Sequence, residues 1–200
     1  MTPIPSGDAP SRMSIYLDIT SLASVVAAIR INRVEETLSY WLNWVVMDPV
    51  GIITDQPIDL RTRAQIADLR SQAHYLGITI TPPSWRPSPI YAHAAIDWAF
   101  DHSHVYGRSA FIALSKGYWA GITDIRQPAA VINTVRNAGI PTQGLDRHLG
   151  RKETLTTQYR QLVQARAAHI GDVPVLSVAG TLLPGLLDED AYIEIIESMR

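Results

Sequence analysis

The chain has 200 residues, a formal charge of −2 and no cysteine. That length suits one domain, or one domain carrying a large insertion, with enough volume to bury a core. The charge, with no cluster of Lys and Arg, argues against a nucleic-acid surface, and the missing cysteines exclude disulfides, thiolate metal sites and thiol redox chemistry by the protein itself.

Residues 1–12, MTPIPSGDAPSR, carry prolines ahead of any apolar run. They are expected to form a disordered leader rather than a targeting segment. Residues 13–19, MSIYLDI, read as a strand by length, β-branching and flanks. Leu22 to about Leu38 has apolar residues at 22, 25, 26, 29 and 34, a helical spacing. Residues 39–47, SYWLNWVVM, are aromatic and β-branched and predict a second strand. Strand, helix and strand with short joints form a βαβ unit, so the two strands are expected to be parallel neighbours.

Residues 60–169 hold little strand signal and much helix. TRAQIADLRSQAHYLG stops on Gly77, while SPIYAHAAIDWAFDHSHVYG and RSAFIALSKGYWAG are expected to stop on Gly107 and Gly121. QPAAVINTVRNAG opens with Pro128 in its first turn, and TLTTQYRQLVQARAAHIG is a last long helix. Strand character returns in VPVLSVAG, followed by a turn at Gly180–Thr181, TLLPG, and a closing helix N-capped by Asp188. No apolar run approaches the roughly 20 residues of a membrane span, so no membrane partner is expected, and a cytoplasmic protein is the simpler reading.

The polar elbow between the first strand and helix offers Thr20, Ser21 and Ser24. A hydroxyl there sits beside unpaired N–H groups at the positive end of the helix dipole, a setting that favours a bound anion. The same serine also serves as a plain N-cap. His102 and His104 are two residues apart and share no helix face, so no metal site is expected.

Four stretches resemble the DsbA-like branch of the thioredoxin fold, nearest to 2-hydroxychromene-2-carboxylate isomerases and kappa-class glutathione transferases. YLDITSLAS resembles their DFxSPYAY elbow, and WRPSPIYAHAAIDWA their FPxNTxxAHRxxxWA helix. YWAGITDIRQPAAV resembles YWxEGxDIxDPxVL, and GDVPVLSVAGTLLPG resembles GVPTFVVDGxxxxG. Leu22-Ala23 replace the elbow's Pro-Tyr, and Ser88-Pro89 replace Asn-Thr. The resemblance implies an α/β, thioredoxin-like fold from residues 13–59 and 170–200, with 60–169 as an all-helical insertion domain.

It also implies roles. Ser21 would hydrogen-bond the thiolate of glutathione or another low-molecular-weight thiol, or an anion forming on the substrate. The bond between Val173 and Pro174 would be cis, leaving the Val173 N–H and C=O free to pair with a thiol peptide. Ser24 is a second contact or, preferably, an exposed polar residue. Trp85, Arg86, Ser88 and His93 fall beside the expected cleft. Arg86 takes a substrate carboxylate or is a solvated loop residue, and His93 is a base or a packed histidine. The implied activity is non-redox cis–trans isomerisation of a conjugated double bond in a small-molecule or carrier-bound substrate, or a glutathione-transferase-like reaction. The implied assembly is a homodimer. The alternative is a catalytically inactive DsbA-like module that binds a partner.

Overall fold

The computed structural model describes residues 13–51 and 55–199, so the expected leader lies outside the described residues. Strand β1 (Met13–Leu17) leads through the elbow into α1 (Leu22–Leu38) and then β2 (Asn43–Val46). β1 and β2 are parallel, with Ile15 opposite Trp44, as the βαβ pattern predicts. Strands β5 (Val175–Val178) and β6 (Thr181–Pro184) complete a four-stranded sheet in the order β2-β1-β5-β6, with β5 antiparallel to β1. The closing helix α8 (Glu189–Ser198) is capped by Asp188, whose carboxylate accepts from the Ala191 N–H.

The alternation in β1 explains why both faces of the sheet are covered. Met13, Ile15 and Leu17 are fully buried in the main core, against α1 and the helices that follow. Tyr16 points the other way and packs with Met47, Leu162, Ile170, Val173 and Val175 in a second, smaller cluster. Residues 60–169 supply six helices: α2 (Leu60–Tyr75), α3 (Ile90–His102), α4 (His104–Trp119), α5 (Pro128–Asn137), α6 (Leu145–Leu149) and α7 (Lys152–Ala167). A short antiparallel pair, β3 (Gln56–Pro57) with β4 (Trp85–Arg86), ties this segment back to the elbow. Among the described residues no helix is long and apolar enough to cross a membrane.

Four local expectations are corrected. β1 ends at Leu17, because the Asp18 carboxylate turns back onto the Thr20 N–H, an Asx-type turn. β2 begins only at Asn43, since Ser39 takes a left-handed conformation (φ 49°) and the Leu42 N–H is held by the Glu35 carboxylate at 2.7 Å instead of by a strand. The hairpin turn is at Ala179–Gly180, both with positive φ (48° and 86°), the pairing whose twist matches the flanking strands. Gly107 is not a helix stop. The break is at Ser103, in extended conformation, and α4 runs straight through Gly107.

Glu35 is the first of two buried acids that fix α1. It is fully buried near the helix C-terminus, where its carboxylate also accepts from the Trp44 indole at 3.0 Å and pairs with Arg108 at 3.3 Å. The Arg108 guanidinium in turn lies over the Trp41 ring.

Gly107 is there for packing, because a Cβ would collide with the Phe100 ring as the chain doubles back from α3. Gly107→Ala is expected to destabilise the fold by about 1–3 kcal/mol through overpacking. That outweighs the gain of about 1 kcal/mol that alanine brings to a helix interior. Urea unfolding of Gly107→Ala alone and combined with Phe100→Leu checks this: the second change should restore part of the loss.

Candidate functional site

The elbow is organised by Asp18, which the sequence reading left without a role. Its side chain has 0 % exposure, rare for an aspartate unless it is fully paired. Oδ1 accepts from the Thr20 N–H at 2.9 Å and lies 3.1 Å from His93 Nε2. Oδ2 accepts from the Thr20 hydroxyl at 2.7 Å and from Arg86 Nη2 at 2.5 Å. Arg86 also donates from Nε to Thr20 Oγ1 at 2.8 Å and from Nη2 to Asp48 at 3.0 Å. Burial alone would raise the Asp18 pKa, but the His93 hydrogen bond and the Arg86 charge outweigh it and hold the pKa down at about 2. An ionised carboxylate only accepts, so His93 presents Nε2–H to it. From behind, the Trp119 indole donates to the Ile19 carbonyl at 3.0 Å.

Ser21 is the N-cap of α1, its hydroxyl oxygen accepting from the Ser24 N–H at 3.3 Å. The hydroxyl proton goes to the Val173 carbonyl, also at 3.3 Å. The Val173–Pro174 bond is cis, and Val173 faces Ser21 across the elbow. However, Val173 is not left free for a ligand. Its C=O is taken by Ser21, and its N–H donates to the Asp172 carboxylate at 2.9 Å.

A cavity of about 100 Å³ opens here, lined by Ser21, Leu22, Ala23, Arg86, Trp119 and Val173 among others. Its side-chain charges are Asp18 and Asp172 against Arg86, so the elbow is not the positive pocket the helix dipole alone suggests. What it does offer is backbone. Among the described residues no acceptor faces the N–H groups of Leu22 and Ala23, the first two of α1.

The expected site residues therefore separate. Ser21, Arg86 and Val173 meet at the elbow cavity, with Pro174 fixing the loop behind Val173. Ser88 and His93 line a second cavity of about 90 Å³. Trp85 is 55 % exposed and borders a separate groove with Tyr118 and Ile122. Ser24 is not an exposed polar residue: it is fully buried, and its hydroxyl has no partner among the described residues. Arg86 is neither a solvated loop residue nor an open carboxylate receptor, since two aspartates already hold it. Asp48 joins Asp18 as an elbow residue that sequence reasoning did not single out, and Thr20, offered there as an elbow hydroxyl, serves to hold Asp18. The available signal was an acidic residue closing a buried strand.

No family profile matches the sequence, and no curated protein matches it. Solved structures do. A 2-hydroxychromene-2-carboxylate isomerase superimposes with a TM-score of 0.73 at 13% identity, covering 94% of this chain and 93% of that one. A putative protein disulfide isomerase from Nitrosomonas europaea gives 0.72 at 16% identity, covering 93% and 95%. The cytosolic disulfide reductase DsbM from Pseudomonas aeruginosa, in a structure with GSH, gives 0.61 at 12% identity, covering 94% and 98%. The chain has the DsbA-like thioredoxin fold, without a cysteine.

Because the Asp18 pKa is lowered on folding, its contribution is fully present above about pH 4 and is lost as the pH falls towards 2. About 2 kcal/mol is at stake. Asp18→Asn should lack that acid-linked loss. At neutral pH it should also be destabilised by about 3–5 kcal/mol, because Arg86 and His93 lose a buried partner. Denaturant unfolding of both proteins from pH 2 to 7 checks this, and superimposable pH profiles would contradict it.

Proposed function

We propose that this protein is a non-redox enzyme that isomerises a small conjugated carbonyl compound, free or carried on a larger molecule, at the elbow cavity. The observation that carries the reading is the pair of unpaired N–H groups on Leu22 and Ala23, beside the Ser21 hydroxyl in a small cavity. Two such donors suit a carbonyl oxygen that is neutral at rest and gains negative charge as the reaction proceeds. Drawing electrons onto that oxygen lowers the order of the conjugated double bond and eases rotation about it. The acidic balance of the lining disfavours a resident anion, which again suits a substrate that is charged only in the transition state. Ser21 contributes as a third donor when it turns from the Val173 carbonyl to the substrate.

Glutathione does not fit this geometry. A thiol peptide laid along the cis-proline needs the Val173 N–H, which Asp172 holds. A cavity of about 100 Å³ is also well below the roughly 300–1,000 Å³ of ordinary ligand pockets. The reading therefore involves no thiol and sets the transferase-like reaction aside.

A second reading, an inactive module that binds a partner, is favoured by the Ser21–Val173 hydrogen bond itself, because it engages the one side-chain hydroxyl best placed for chemistry.

The test is cis–trans isomerisation of conjugated ketones and amides, followed by absorbance, with and without glutathione. Wild type should turn over at a rate indifferent to the thiol. Ser21→Ala should slow turnover by about 10²-fold, the usual cost of one donor, while losing only about 1 kcal/mol of stability with the cap. Equal rates in the two proteins would remove Ser21 from the mechanism. No turnover of any such substrate would favour the binding module.

A further inference from the structure

The second cavity lies on the far side of the Asp18 network. Its floor is His93, which has 2 % exposure. The ring is held by one nitrogen only: Nε2 faces Asp18 Oδ1 at 3.1 Å, and among the described residues nothing hydrogen-bonds Nδ1. Asp18 cannot turn away, because the Thr20 hydroxyl and Arg86 hold its other oxygen. With the ring neutral, a carboxylate fixed in this way accepts from Nε2–H and leaves the lone pair on Nδ1, which calls for a donor.

The walls narrow the choice of donor. Pro89, Ile90 and Leu162 are aliphatic, Ser88 adds one half-buried hydroxyl, and Gln158 adds a carboxamide whose nitrogen donates to Asp97. Among the described residues no Lys or Arg lines the space, and the one carboxylate there, Asp48, is paired with Arg86 at 3.0 Å. An anion would meet no cation there. An ammonium would be desolvated against a carboxylate whose charge is already matched. A neutral hydroxyl on a short aliphatic body meets both the nitrogen and the walls. At about 90 Å³ the space is smaller than the roughly 150 Å³ cavity that takes benzene, and it suits a chain of about three carbons. Tyr159, 64 % exposed, borders the cavity where a longer chain would leave.

We propose that this cavity is a binding site for a short aliphatic alcohol, or for the hydroxyl end of a longer alkyl chain, with the hydroxyl donating to His93 Nδ1. The site is independent of the elbow reading, since the Arg86–Asp48 pair stands between the two cavities with one partner on each.

The test uses the full chain with ¹⁵N-labelled histidine, its His93 ring signals assigned by through-bond correlation to the backbone, and 1-propanol as the probe. The bare nitrogen should be Nδ1, and it should move upfield along a saturating curve as alcohol is added. Ile90→Phe fills the cavity from α3 and Leu162→Phe fills it from α7, neither touching the Asp18–His93 pair. Both should keep the tautomer and lose the saturating shift. A bare Nε2 in wild type, or a ring protonated on both nitrogens, would overturn the proposal. So would a shift that is linear in alcohol, or one that is unchanged in both variants. Isomerase activity plays no part in the readout, so failure at the elbow and failure here are told apart.

Discussion

A carboxylate shut away from water has to be met by donors on every lone pair, and the elbow is built around that requirement. Asp18 sits where β1 hands over to α1, and its two oxygens take four hydrogen bonds: two from Thr20, one from Arg86 and one from His93. Those partners come from the elbow itself, from β4 and from α3, so one side chain joins the main sheet, the short β3–β4 pair and the helical segment. Such an arrangement adds little net stability compared with an apolar core of the same shape. It does fix a unique geometry, because each partner would be left uncompensated without the others. Glu35 does the same at the far end of α1, holding the Leu42 N–H, the Trp44 indole and Arg108. The helix that presents Ser21 is therefore pinned near both ends by a buried acid, and its first turn is tied to the loop before Pro174 by the Ser21–Val173 hydrogen bond.

The same economy of partners decides what the site can hold. The resemblance implies ligand contacts at the elbow and at the residue before the cis-proline, and here most of those polar atoms satisfy one another. Ser21 bonds Val173, Asp172 bonds Val173, and Arg86 bonds two aspartates. Among the described residues, what remains unmatched there is small and specific: two helix N–H groups and the buried Ser24 hydroxyl in the first turn of α1, and one imidazole nitrogen on the other side of the Asp18 network. Donors on one side and an acceptor on the other make these two different kinds of site.

Much of the architecture was legible in the sequence because it rests on local patterns. The βαβ start, the Asp188 cap, Pro128 at the head of α5 and the cis bond before Pro174 all follow from periodicity, capping chemistry or the resemblance. The errors came where a distant partner overrode a local signal. Gly107 looks like a stop until Phe100 is folded back against it. Residues 39–42 look like strand until the Glu35 side chain takes the Leu42 amide. At the site, Ser21, Val173 and Arg86 were anticipated by position, but their partners were not. Asp18 reaches residues 68 and 75 positions away, and nothing in a single sequence records that Arg86 and His93 converge on it. Ser24 was misread for a similar reason, since only the packed helices around α1 bury it.

The claim on which the account stands is that the first turn of α1 presents free N–H donors to a neutral conjugated carbonyl group. Backbone amide NMR of the full chain, titrated with crotonamide, measures this directly. Saturable downfield shifts of the Leu22 and Ala23 amide protons are expected, larger than those of the neighbouring residues. Amides of Leu22 and Ala23 that stay still while crotonamide perturbs other parts of the protein would contradict it.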